Sequence, residues 1–143
     1  PYPCANNLIT AIACMRSGPS QEPEQLTELV KKINRTQTHW PALSIWTGNQ
    51  DSVVNAKNAQ YLARHWAQLS QSTKQPTITE HSGYTISQWQ GLDKQITVEL
   101  IEIENMDHGI AVAPELSNGG SEAPFVIKTP ISTILYLLET WKI

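Results

Sequence analysis

The sequence predicts an α/β fold in which a mostly parallel sheet is flanked by helices. Three observations carry that expectation. Leu26, Leu29, Val30 and Ile33 recur at i, i+3, i+4 and i+7, the spacing of one apolar helix face. Two apolar runs, 42–48 and 96–103, have strand length and are bounded by turn-forming residues. Helical and strand patterns then alternate along the chain, an order that implies parallel strands joined by helical crossovers.

Taken in order, residues 5–15 are small and apolar and end in the breaker cluster Arg16-Ser17-Gly18-Pro19-Ser20. The helix built on Leu26 to Ile33 follows. Glu22, Pro23 and Glu24 suit its first turn and Lys31 and Lys32 its last, because the helix dipole favours acids at one end and bases at the other. The strand 42–48 is entered through Trp40-Pro41 and broken by Gly48-Asn49, and a polar loop leads to a helix starting near Asn55 with Ala59, Leu62, Ala63 and Trp66 on one face. After the polar stretch 68–73, Thr77 to His81 and Thr85 to Trp89 predict a hairpin around Ser82-Gly83-Tyr84. The run 96–103 alternates at first and then becomes apolar, as a strand entering a buried sheet does. Beyond a Gly/Pro-rich loop at 114–124, Ile131, Ile134, Leu135, Leu138 and Trp141 predict a terminal helix.

With 143 residues the chain is long enough for one ordinary domain with a real core. Its net charge of −3 offers no basic surface for nucleic acid and no polybasic patch for membranes. No apolar run reaches the length of a membrane span. Charged residues make up 16%, against roughly 25% in an average soluble protein. Ser, Thr, Asn and Gln account for 43 residues instead, a surface polar without charge that suggests a secreted or periplasmic protein. Cys4 and Cys14 fit a single short-loop disulfide or two buried thiols. The histidines at 39, 65, 81 and 108 lie too far apart to suggest zinc, and no metal or organic cofactor is expected.

Two residues share one position in this pattern. Asp51 follows the first buried strand and His108 the second, and ligands of open α/β sheets bind beyond the carboxyl ends of strands. An Asp and a His converging there are the orienter and base of a hydrolytic triad: the carboxylate fixes the imidazole tautomer and stabilises the imidazolium. Taken singly, Asp51 fits a helix cap as well, and His108 before Gly109 fits a turn. Asp107 competes for the acid role, but its adjacency to His108 points it elsewhere. Of the aromatic residues, Trp46, Trp66 and Trp141 fall on buried faces, which leaves Trp89 and Tyr84 as substrate-wall candidates.

These residues also carry a resemblance. Ile45-Trp46-Thr47-Gly48-Asn49-Gln50-Asp51-Ser52-Val53-Val54 resembles the acid loop, hG-x-x-D-x-x-V, of the polyhydroxybutyrate-depolymerase-like esterases of the α/β-hydrolase superfamily. Met106-Asp107-His108-Gly109 resembles their G-x-x-H histidine loop, with Asn105 or Met106 where the glycine is expected. Pro1-Tyr2-Pro3-Cys4-Ala5 is similar to their PYxCA stretch, Ala13-Cys14-Met15 to a later CM, and Ala123-Pro124-Phe125 fits ahead of the last helix. The resemblance implies that residues 1–143 form a partial α/β-hydrolase domain, the C-terminal half, with Asp51 and His108 as catalytic residues and Cys4–Cys14 as a disulfide.

The family's nucleophile, a serine in Gly-x-Ser-x-Gly, is absent from this chain. The nearest pattern, Gly119-Gly120-Ser121-Glu122-Ala123, follows His108 and has Pro124 where a helix should begin, so it makes no nucleophile elbow. The expectation is therefore a serine-type carboxylic ester hydrolase, acting on a polyester or a small ester, represented by the part without its nucleophile. Such a part is inactive alone, has a missing N-terminal half as partner and tends to self-associate. The alternatives are a non-catalytic α/β binding or assembly module, or a peptidase of the same fold.

Overall fold

A computed structural model describes residues 4–141, so the Pro1-Tyr2-Pro3 part of the opening resemblance lies outside the described residues. Among these residues four helices and six strands follow one another: α1 (Leu8–Ser17), α2 (Pro23–Ile33), β1 (Leu43–Gly48), α3 (Lys57–Leu69), β2 (Thr77–His81), β3 (Tyr84–Gln90), β4 (Ile96–Ile103), β5 (Ile110–Val112), β6 (Val126–Lys128) and α4 (Thr133–Trp141). Helix α1 was not legible as a helix from its apolar content. Its start is set by polar reciprocity: Thr10 N–H donates to Asn7 Oδ1 at 2.9 Å and Asn7 N–H to Thr10 Oγ1 at 3.0 Å. A disulfide joins Cys14 in this helix to Cys4, with Cα atoms 5.8 Å apart.

The sheet corrects the expected fold class. Strands β1-β4-β3-β2 form a mixed sheet in which only β1 and β4 run parallel, while β3 pairs antiparallel with both β4 and β2. A separate two-stranded sheet pairs β5 and β6 in parallel. The chain thus does not form a mostly parallel sheet flanked by helices, the expected C-terminal part of an α/β-hydrolase fold. The reason lies in the connections. Five residues, Gly91 to Gln95, join β3 to β4, and Gly91 N–H donates to Gln95 O at 3.0 Å across their mouth. A parallel return needs a crossover of a dozen or more residues, so this link permits only an antiparallel partner.

Strand β4 sits between β1 and β3 and is buried on both faces, which accounts for its apolar residues on each; the buried Glu99 among them accepts the Tyr136 hydroxyl at 2.8 Å. On one face Val98 and Leu100 pack with Ile45, Trp89, Ala63 and Ala67 beneath α3. On the other, Ile101 and Ile103 pack with Ile86, Met106, Ala111 and Ile131. Helix α3 also meets α2, where Thr27 Oγ1 lies 3.0 Å from Nδ1 of the buried His65. The α4 periodicity did not mean burial: Ile134 is 57% exposed, and Leu138 and Trp141 are exposed as well. The other edge of β1 has no strand partner among the described residues. No helix among them is long and apolar enough to cross a membrane.

Candidate functional site

The single parallel pair in the main sheet builds the site. Because β1 and β4 run the same way, with Gly48 opposite Ile103, the loops after them leave the sheet at one edge. The loops are then stitched together by their own backbones: Asn49 N–H donates to Ile103 O at 2.9 Å, and Gln50 N–H to Met106 O at 3.1 Å. Asn105 N–H donates to Asn49 Oδ1 at 2.8 Å. From below, Asn55 N–H and the Asn58 amide donate to Met15 O, tying the end of the acid loop to α1.

Gly48 makes this approach possible. A Cβ at that position would sit 2.0 Å from Met106 O, a backbone atom already engaged by Gln50. Gly48→Ala is therefore expected to destabilise the protein by about 3 kcal/mol or more, at the upper end of overpacking costs, because no flexible side chain can move aside. Urea unfolding of the two proteins checks this; a loss under about 0.5 kcal/mol would show that the loops are not held as described.

Within this frame Asp51 and His108 meet. Asp51 Oδ2 lies 2.9 Å from His108 Nδ1. Its other oxygen, Oδ1, accepts the N–H groups of Val53 at 2.9 Å and Val54 at 2.7 Å. Asp51 thus does both things its sequence position allowed: it organises the turn ahead of α3 and it holds the imidazole. The Asp51 side chain is 8% exposed and that of His108 is 42% exposed, so the carboxylate is sheltered while the ring reaches solvent. Burial pushes the Asp51 carboxyl up, but the Val54 N–H, the His108 ring and the Val53 N–H outweigh it and hold the group below its ordinary value of 3.8. It is an anion under ordinary conditions, ready to stabilise an imidazolium.

With Nδ1 donating to that anion, the neutral ring keeps its lone pair on Nε2, the arrangement a general base requires. Long-range proton–nitrogen correlation spectra of the neutral ring are expected to show a bare Nε2. In Asp51→Ala the proton should move largely to Nε2. A wild-type ring protonated on Nε2 would contradict the assignment.

Asp107, adjacent to His108, does not compete for the ring. It clamps the two loops: Oδ1 accepts Ser52 N–H at 2.7 Å, Ser52 Oγ at 2.9 Å and His108 N–H at 2.7 Å. Those donors hold its carboxyl below the usual range. This clamp was not legible in the sequence, because nothing in Asp107's spacing shows that Ser52, 55 residues away, would reach it.

The two substrate-wall candidates sit toward opposite ends of the sheet. Trp89 is 5% exposed, packed under α3 and paired with Val98 near the start of β4, toward the end of the sheet away from His108. Its edge borders a surface cavity of about 740 Å³ with Gln60, Arg64 and Gln68 of α3. Tyr84 pairs with Ile103, packs against the second core cluster and stacks on His81 at 4.5 Å. The aromatic residue in contact with the pair is one the pattern missed, Phe125, whose ring lies edge-on to His108 with centroids 6.4 Å apart.

Among the described residues no group of three or more His, Cys, Asp or Glu side chains converges as a metal site. No family model matches the chain, and no curated protein matches it either.

Proposed function

We propose that this chain supplies the base and its orienter to a serine-type carboxylic ester hydrolase. The observation that carries the reading is the 2.9 Å contact between Asp51 and His108, on an ionised, sheltered carboxylate and a solvent-reaching ring. In the reaction His108 takes the proton of an attacking serine through Nε2 and returns it to the leaving alcohol, while Asp51 balances the imidazolium in between. The serine and the oxyanion donors come from outside these 143 residues, since no Gly-x-Ser-x-Gly is present. The resemblance to polyhydroxybutyrate-depolymerase-like esterases supports this reading through the acid and histidine loops, not through the sheet. Polar composition and the Cys4–Cys14 disulfide support secretion or a periplasmic location.

The test is hydrolysis of p-nitrophenyl acetate and butyrate by the protein assembled with its serine, wild type against Asp51→Asn and His108→Ala. Loss of turnover in both variants is expected. Turnover equal to wild type in either would overturn the reading.

A further inference from the structure

The small β5–β6 sheet determines what stands beside His108. Its register sets Ile110 against Val126, so Gly109 comes alongside Phe125, and Ile110 N–H donates to Phe125 O at 2.8 Å. Gly109 is small enough to allow the approach: a Cβ there would lie 2.7 Å from Phe125 O. Two strands, one leaving the histidine and one leaving the phenylalanine, thereby hold both rings at a single edge. Phe125 also adopts a φ of 60°, the left-handed conformation that a non-glycine residue resists. The residue is 69% exposed nevertheless. Single exposed apolar residues are ordinary. An exposed phenylalanine on a strained backbone, set by a strand ladder beside a solvent-reaching histidine, is not, and strain of this kind clusters at ligand contacts.

We infer that Phe125 is a specificity-determining residue: its ring is the apolar platform on which the acyl chain of the ester lies as the carbonyl carbon sits before the serine. The favoured substrates then carry an apolar acyl group of several carbons. This rests on the reading of Asp51 and His108 given above. A fully buried methylene is worth about fourfold in affinity, so two methylenes against one open ring should give roughly 10-fold.

The experiment compares kcat/KM for p-nitrophenyl butyrate and acetate in the assembled protein, for wild type, Phe125→Gly, Phe125→Asn and Asp51→Asn. Glycine and asparagine both accept the left-handed backbone, so Tm should stay at or above that of wild type while the platform is removed. The expected result is a butyrate-to-acetate ratio about 10-fold lower in both Phe125 variants and an unchanged ratio in Asp51→Asn, whose rates fall on both esters together. An unchanged ratio in the Phe125 variants, or an equal loss on both esters, overturns the platform while Asp51→Asn still slows and the base assignment stands. A wild type inactive on both esters, or an Asp51→Asn variant as fast as wild type, overturns the base assignment and the platform with it.

Discussion

Replacing His108 by alanine is expected to lower kcat/KM for p-nitrophenyl butyrate by about 10⁵–10⁶-fold, and Asp51→Asn by about 10⁴-fold, when the protein is assembled with its serine. The order of the two follows from their chemistry. Without the imidazole nothing takes the proton from the attacking hydroxyl, and the serine is a poor nucleophile at neutral pH. In Asp51→Asn the imidazole is present, but the new amide can offer its own N–H to Nδ1, which favours the tautomer with the proton on Nε2 and removes the negative charge that stabilises the imidazolium. That amide would still accept the Val53 and Val54 N–H groups through its carbonyl oxygen, so the turn before α3 persists and the loss is chemical. The double variant should be no slower than His108→Ala alone, because groups that act as a unit are not additive. Steady-state kinetics of the three variants decide it; losses under about 10-fold in His108→Ala would remove His108 from the reaction.

The second large effect is the silence of the 143 residues on their own. Hydrolysis of p-nitrophenyl acetate and butyrate by this chain is expected to equal that of its Asp51→Asn, His108→Ala double variant, with no saturation. Two serines set the alternative. Ser52, in the acid loop, gives its hydroxyl to Asp107 at 2.9 and 3.1 Å, which engages it away from a role as nucleophile. Ser121 lies exposed in the irregular stretch between β5 and β6, without the strand-to-helix turn that aims a nucleophile. Saturable turnover above the double variant, blocked by a serine-directed inhibitor, would place the nucleophile within these residues and contradict the division of labour proposed here. Adding the serine-bearing part in trans is expected to restore activity.

The meeting of Asp51 with His108 was more legible in the sequence than the sheet around it. Asp51 and His108, 57 residues apart, were expected to meet because each follows a buried strand, and the one parallel pair in the main sheet, β1 with β4, brings those strand ends together. Helix α2 carried a strong apolar periodicity and strand β4 an apolar-rich run of strand length, and both formed over the expected residues. The hairpin was expected where it occurs, but α/β alternation was extended to the whole sheet when the five-residue link from β3 to β4 already forbade a parallel return. Helix α1 escaped because its signal is a pair of polar caps, Asn7 and Thr10, not a stripe. In α4 the stripe exists, yet Ile134 stays exposed, since periodicity reports what a helix can bury and not what covers it. The β5–β6 ladder, three residues a side, is too short to leave a pattern, and the place of Phe125 beside His108 was hidden with it.

Covalent labelling with a fluorophosphonate, read by mass spectrometry on the assembled protein, tests the central claim most directly, because phosphonylation requires a serine whose proton is being taken by a base. The expected result is one modified serine outside these 143 residues, labelled rapidly in wild type, at least about 100-fold more slowly in Asp51→Asn and not measurably in His108→Ala. A serine labelled at the wild-type rate in His108→Ala, or no labelled serine in the wild type, would contradict the assignment of His108 as base and Asp51 as its orienter.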